Sequence, residues 1–158
     1  MSQSQHRSRG DPSAVDLTDP EVFSHWTVET IRFQDVDRYD HVNNVAYAVY
    51  SESARVDLVN LAGFDDPDGY WVIVRLAIDY LAETRFPGQV RIGSGILSIG
   101  RSSLVIGQGM FNTGRCVARA ECVVVWMATA TRRPAPLPDA LRRHVREYRI
   151  PGGPAAGA

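Results

Sequence analysis

The sequence predicts an α+β domain in which a curved, five-stranded antiparallel sheet wraps one long helix. Three observations carry this expectation. One strand pattern precedes a long apolar helix, four strand patterns follow it, and the β-α alternation that a parallel sheet needs is missing. Helix and sheet each carry an apolar face that the other can cover.

The first strand is WTVETIRF, residues 26–33. The helix is NVAYAVYSESARVDLVNLAG, residues 44–63. Val45, Val49, Val56 and Val59 form one stripe on it, and Ala46, Tyr50, Ala54, Leu58 and Leu61 broaden that stripe, so most of the surface is expected to be buried. Asn43 or Asn44 can accept a hydrogen bond from an early helical amide, and Gly63 supplies a stop. In WVIVRLAIDYL, Val72, Val74, Leu76, Ile78 and Tyr80 share one alternating face, with Arg75 and Asp79 on the other. GQVRIGSGILSIG, SSLVIGQGMFN and RCVARAECVVVWMA complete the sheet, with turns at SIGRS and NTGR. In the last strand Cys122, Val124 and Trp126 oppose Val123, Val125 and Met127, so part of it is expected to be covered on both faces. A short helix is expected from near Pro138.

With 158 residues, 44% of them hydrophobic and 22% charged, the chain can bury one sizeable core. A single domain is expected over residues 23–149, between a polar, proline-bearing tail at 1–22 and a C-terminal tail at 150–158. A formal charge of -1 gives no global attraction to nucleic acid. No segment has the length of a membrane span, and the polar start MSQSQHRSRGDPS has no apolar stretch of a signal peptide. A cytoplasmic location is therefore expected. Cys116 and Cys122 read as small strand side chains rather than a disulfide, which suits a reducing compartment. His6, His25, His41 and His144 are scattered, and no HExxH, P-loop or GxSxG is present, so neither a metal nor a nucleotide cofactor is expected.

The chemistry concentrates in FQDVDRYDHVNNVAYAVY, residues 33–50. Asp35, Asp37, Asp40, His41, Asn43 and Asn44 crowd the start of an apolar helix. The unpaired amides there, together with the helix dipole, favour a developing negative charge, so the pattern suits attack on a carbonyl. A solvated, well-capped loop is the structural alternative.

FxDxD at Phe33 to Asp37, HVNN at His41 to Asn44, and Tyr47, extended by IDYLAETRFPGQV, GRSS and RRPAPLPDALRR, resemble the hotdog-fold thioesterases of the 4-hydroxybenzoyl-CoA thioesterase type. They also resemble, in part, the acyl-ACP thioesterases. The resemblance implies a hotdog fold and hydrolysis of an acyl-CoA to the free acid and CoA. It further implies an active site between the subunits of a homodimer or higher oligomer, and no cofactor beyond the CoA carried by the substrate. An acyl carrier protein is the alternative carrier. The nucleophile or general base falls on Asp37, and in the acyl-ACP pattern DxNxHVNN the carboxylate and histidine fall on Asp37 and His41. Tyr39 stands where that pattern has its asparagine. Asn44 occupies a position held by tyrosine or histidine in several CoA-type relatives, which leaves its backbone amide as the carbonyl contact. Glu83, in DYxxE, resembles a glutamate that aids the reaction, and a polar strand end is its other reading. Arg101 and Ser103, in IGRSS, resemble positions that contact the nucleotide or phosphate part of CoA, where the planar donor fork of arginine suits phosphate.

The residues themselves support these roles. Asp37 can attack the carbonyl to form an anhydride or take a proton from water. A carboxylate with a reference pKa of about 4 is a weak base, so desolvation is expected to help it. The amides of Asn44 and Val45 can polarise the carbonyl, and His41 can position water or tune Asp37. Asp35 is expected to bind Arg32 or cap a turn rather than to react. Tyr47 and Tyr50 are candidates for lining an acyl pocket, with core packing as their other reading. Arg132, Arg133, Arg142, Arg143 and Arg146 form a basic section suited to phosphates or to solvent. A non-catalytic acyl-binding or dimerisation module is the competing function.

Overall fold

The computed structural model describes residues 15–61 and 67–153. Strand β1 (His25–Ile31) leads to helix α1 (Asn44–Leu61), and β2 (Gly69–Tyr80), β3 (Gly88–Ile99), β4 (Ser103–Asn112) and β5 (Arg115–Ala128) follow, with a short α2 (Asp139–Val145) at the end. The strands form one antiparallel sheet in the order β1-β3-β4-β5-β2, so β1 and β2 are its edges. This is the expected architecture, including the short C-terminal helix.

Helix α1 packs on the sheet face formed by Val90 and Ile92 of β3, Ile106 and Met110 of β4, and Ala118, Ala120 and Cys122 of β5. A buried polar knot fixes it there. The Ser51 hydroxyl donates to Gln108 Oε1, while Gln108 Nε2 donates to the Ser51 carbonyl at 3.1 Å and to Ser94 Oγ at 3.1 Å. Side chains withdrawn from water need such partners, and this pairing ties the middle of the helix to two strands.

The helix is rotated from its expected setting. Ala46, Tyr47, Tyr50, Ala54 and Leu58 are buried, while Val45, Val49 and Val56 are 67%, 41% and 48% exposed. Both stripes are apolar, and the one carrying the two tyrosines fills the space above the sheet. The Leu61 side chain and Gly63 lie outside the described residues. Asn43 is the cap: its Oδ1 accepts from the Ala46 amide at 3.0 Å.

The single alternating face expected for β2 is also interrupted. Ile73 pairs with Val124 and Arg75 with Val123, which leaves Val74 as an inserted residue. Such a bulge reverses the parity of the strand. Trp71 therefore packs into one end of the core and Ile78 into the other, although the two are seven positions apart.

Parts of the segments flanking residues 23–149 pack on the sheet. Residues 1–14 and 154–158 lie outside the described residues, but Leu17, Phe23 and Ile150 are buried. Together with Leu97 and Phe111 they form a second core on the outer face of the sheet. Two cross-strand glycine pairs, Gly93 with Gly109 and Gly95 with Gly107, make room for them. A Cβ at Gly93 would stand 2.5 Å from the Phe23 ring, and one at Gly109 would stand 2.5 Å from the Leu17 carbonyl oxygen. The absent side chains allow the terminal segments to lie directly on the sheet.

Candidate active site

The first strand ends at Ile31, earlier than its sequence pattern suggests, because Phe33–Asp35 turns into one 3-10 turn. That turn directs Asp35 inward. Its carboxylate accepts from the Arg32 amide at 2.8 Å, from the Arg32 guanidinium at 3.2 and 3.1 Å, and from the buried Tyr50 hydroxyl at 2.8 Å. Burial alone would push this carboxyl up, but the bonds from Arg32 and Tyr50 and the Arg32 charge outweigh it and hold it below its ordinary value. The Tyr50 phenol is pushed strongly upward, first by burial and then by Asp35. Tyr50 is a packed and bonded core residue, and it does not line the cavity described below.

Beyond Val36 the chain reverses. Val36 and Val42 form an isolated antiparallel bridge, and between them Asp40 takes φ 63, a left-handed conformation that aspartate tolerates. The Asp37 amide donates to the His41 carbonyl at 2.8 Å. Asp37 Oδ1 accepts from the amides of Tyr39 at 2.8 Å and His41 at 3.3 Å. The same hydrogen bonds set Asp37 and His41 on either side of one tight turn, immediately ahead of α1.

The segment after β2 closes the other side. The Val42 amide donates to the Thr84 carbonyl at 2.8 Å, and the Tyr80 hydroxyl donates to the Asn44 carbonyl at 3.2 Å. Glu83 Oε2 meets His41 Nε2, and Arg85 reaches His41 Nε2 at 2.9 Å and Glu83 Oε2 at 3.2 Å. A protonated Nε2 donates to Glu83, whereas an unprotonated one accepts from Arg85, so one proton decides which neighbour holds the ring. Asp37, His41, Asn44, Tyr47, Tyr80 and Glu83 line one cavity of about 400 Å³. The amides of Asn44 and Val45 belong to the first turn of α1, where no helical acceptor exists for them. They can bind a carbonyl oxygen beside two carboxylates and a histidine.

A model of the thioesterase-like superfamily matches residues 31–145 of the chain. The chain belongs to that superfamily. Among solved structures, it resembles a thioesterase of Thermus thermophilus complexed with coenzyme A and Zn. The two are 31% identical over 81% of this chain and 96% of that one, with a TM-score of 0.74. A protein described as a predicted thioesterase from Bacillus stearothermophilus is 30% identical over 78% of this chain and 95% of that one, with a TM-score of 0.72. The PA5185 protein of Pseudomonas aeruginosa strain PAO1 is 26% identical over 83% of this chain and 95% of that one, with a TM-score of 0.76. No curated protein matches. The fold is the hotdog fold of thioesterases, and the superfamily points to thioester hydrolysis.

Within this thioesterase-like chain, the other residues singled out in the sequence take different places. The Tyr47 phenol is buried on the cavity wall, and burial raises it while the Thr84 hydroxyl acts to lower it. Val45 presents its side chain to solvent, so only its amide faces the chemistry proposed for it. Arg101 and Ser103 are not in the cavity. They sit at the β3-β4 turn, where Arg142 of α2 donates to the carbonyls of Gly100 at 3.0 Å and Arg101 at 3.2 Å. One arginine of the basic C-terminal section therefore braces this turn. Arg85 was not singled out, although it stands in the ETRFPG segment two residues from Glu83. No helix of the described residues is long and apolar enough to cross a membrane.

Proposed function

We propose that this chain hydrolyses an acyl-CoA thioester to the free acid and CoA. The observation that carries the reading is the convergence of Asp37, His41, Glu83 and the first amides of α1 on one cavity. The CoA complex of the Thermus neighbour supports a CoA-type ligand. With Asp37 as general base, its carboxylate takes a proton from water as the water oxygen bonds to the carbonyl carbon. Charge moves to the carbonyl oxygen, which the Asn44 and Val45 amides stabilise. Collapse breaks the C–S bond, and the CoA thiolate leaves with the electron pair and takes up the proton that Asp37 received, which restores the carboxylate. With Asp37 as nucleophile, the same collapse leaves a mixed anhydride, and water then releases the acid and restores the carboxylate. Glu83 and His41 are placed to orient the water in either route.

The functional unit is a homodimer or a larger assembly of dimers. Asp37 is exposed in a single chain, so the desolvation that would strengthen it as a base has to come from another surface or from substrate. Strand β2 is an edge strand with unpaired backbone, flanked by the exposed Val49, Val56, Ile73, Val74 and Leu76. Ser103 pairs with Val125, which pairs with Val72, whereas Tyr80 borders the Asp37 cavity, so the two regions are about 26 Å apart at ~3.3 Å per residue. Antiparallel pairing of two β2 edges brings the IGRSS turn of one copy toward the cavity of the other. Sedimentation across protein concentrations is expected to give a dimer or larger species, and a fully active monomer would overturn this part of the reading.

The test of the activity is an HPLC survey of acyl-CoA and acyl-ACP substrates with free thiol measured independently. Release of CoA and acid is the expected result. Preference for the carrier protein would move the assignment to an acyl-ACP thioesterase, and tight acyl binding without turnover would make the chain a binding module. Because attack can use Asp37 with helix amides, turnover is expected to survive exhaustive chelation. Loss of activity that one added metal restores would contradict that expectation.

A further inference from the structure

A second cavity, of about 460 Å³, lies under the C-terminal half of α1 and the beginning of β2. Val56, Val59, Ile73, Val124 and Trp126 give it apolar walls, and Glu52, Arg55, Asn60, Tyr70 and Trp71 add polar atoms. Two donors are out of balance here. Arg55 is 8% exposed, and its Nη1 and the Trp71 Nε1 are shielded from water with no acceptor among the described residues. Among the described residues, Arg55 has the Cys122 thiol and the Glu52 carboxylate beside it, the latter 4.0 Å from Nη2 and itself 68% exposed. A cation withdrawn from water ordinarily has its N–H groups satisfied, because leaving them unmade is costly. A ligand that enters this cavity can supply what the described residues do not.

We propose that the cavity binds the carboxylate end of an apolar acid, with the Arg55 guanidinium and the Trp71 indole N–H as its donors. The planar fork of arginine matches a carboxylate, and the aliphatic and indole walls suit an alkyl or aryl body. Glu52 yields to the incoming anion by turning into solvent. The acid can be the far end of a substrate acyl group or a free acid. The first source rests on the proposed thioester hydrolysis: antiparallel pairing of two β2 edges sets the Tyr70 end of one copy, where this cavity opens, beside the Tyr80 end of the other, where the Asp37 cavity lies.

The test is a titration of the protein with benzoate, adipate and neutral benzamide, followed by the fluorescence of Trp71 and Trp126 in the cavity wall. Saturable binding of the acids but not the amide is expected, at least tenfold weaker in Arg55→Met and tighter in Glu52→Gln. Glu52 is exposed, so the second variant reports even where the first does not fold. Absence of acid binding to the unsubstituted protein, equal binding of benzamide, or an unchanged affinity in Glu52→Gln would overturn the proposal. So would an unchanged affinity in folded Arg55→Met. Turnover of adipoyl-CoA against hexanoyl-CoA separates the sources. A loss in Arg55→Met confined to adipoyl-CoA assigns the site to the acyl group, and equal turnover with lost acid binding assigns it to a free acid. If neither thioester is cleaved by the unsubstituted protein, the acyl-group source is overturned for these chains, the hydrolase reading is decided by the wider substrate survey, and the binding result stands by itself.

Discussion

Asp37→Asn is expected to lower kcat at least a hundredfold with the fold intact. Asparagine keeps an Oδ1 that can accept from the Tyr39 and His41 amides, so the turn before α1 survives the change. What it removes is the negative charge that both a nucleophile and a general base require. A hundredfold loss corresponds to about 2.7 kcal/mol of transition-state stabilisation. His41→Ala is expected to cost less, because His41 meets Glu83 and Arg85 and acts on the reaction through water or through Asp37. The comparison calls for initial rates at saturating substrate, substrate binding measured separately, and circular dichroism of each variant. Wild-type turnover in folded Asp37→Asn would remove Asp37 from the mechanism. If His41→Ala fails while Asp37→Asn works, the base is His41.

Asp35→Ala should instead be a stability variant, weakening the fold by about 2–4 kcal/mol. It strands the fully buried Tyr50 hydroxyl and the Arg32 amide, both of which donate to Asp35. The Arg32 side chain is 53% exposed, so loss of its ion pair adds little. Acid should have the same effect as the substitution. The folded carboxyl lies below its unfolded value, so its contribution is fully present above about pH 4 and is lost as pH falls through the lower, folded value. Urea unfolding at neutral pH and across the acid range measures both effects. The variant should lose less stability on acidification than the unsubstituted protein does. A difference below about 0.5 kcal/mol at neutral pH would mean that the Asp35 contacts are not maintained.

The order of elements was legible because each strand and the helix carry their own apolar period, and the antiparallel sheet followed from the lack of intervening helices. Which helix face turns inward was not. Two apolar stripes compete on α1, and the choice is made by volume and by the Tyr50 bond to Asp35, neither of which a periodicity contains. The Val74 bulge has no glycine or proline to announce it. At the site, a two-residue spacing would set Asp35 and Asp37 on one side of an extended segment, and it is the 3-10 turn at Phe33–Asp35 that turns Asp35 inward and leaves Asp37 exposed. The approach of Glu83 to His41 depends on the long-range bond between Val42 and Thr84, so sequence proximity could not reveal it. The burial of Arg55 has no signal in the sequence, because an arginine in a helix ordinarily reads as a surface residue.

The glycine pairs on the outer face of the sheet determine where the chain can be shortened or extended. A leader or fused protein joined ahead of residue 15 leaves Leu17 and Phe23 on their glycine platform. A version trimmed to residues 23–149 would keep every strand and the whole Asp37 cavity, but it would lose Leu17 and Ile150. Gly95 would then lose the cover of Ile150 and Gly107 that of Leu17, while Leu97 stays over Gly107. Leu97 and Phe111, stripped of these partners, would offer an apolar patch for another molecule to stack against, so trimming to residues 23–149 would trade solubility for compactness.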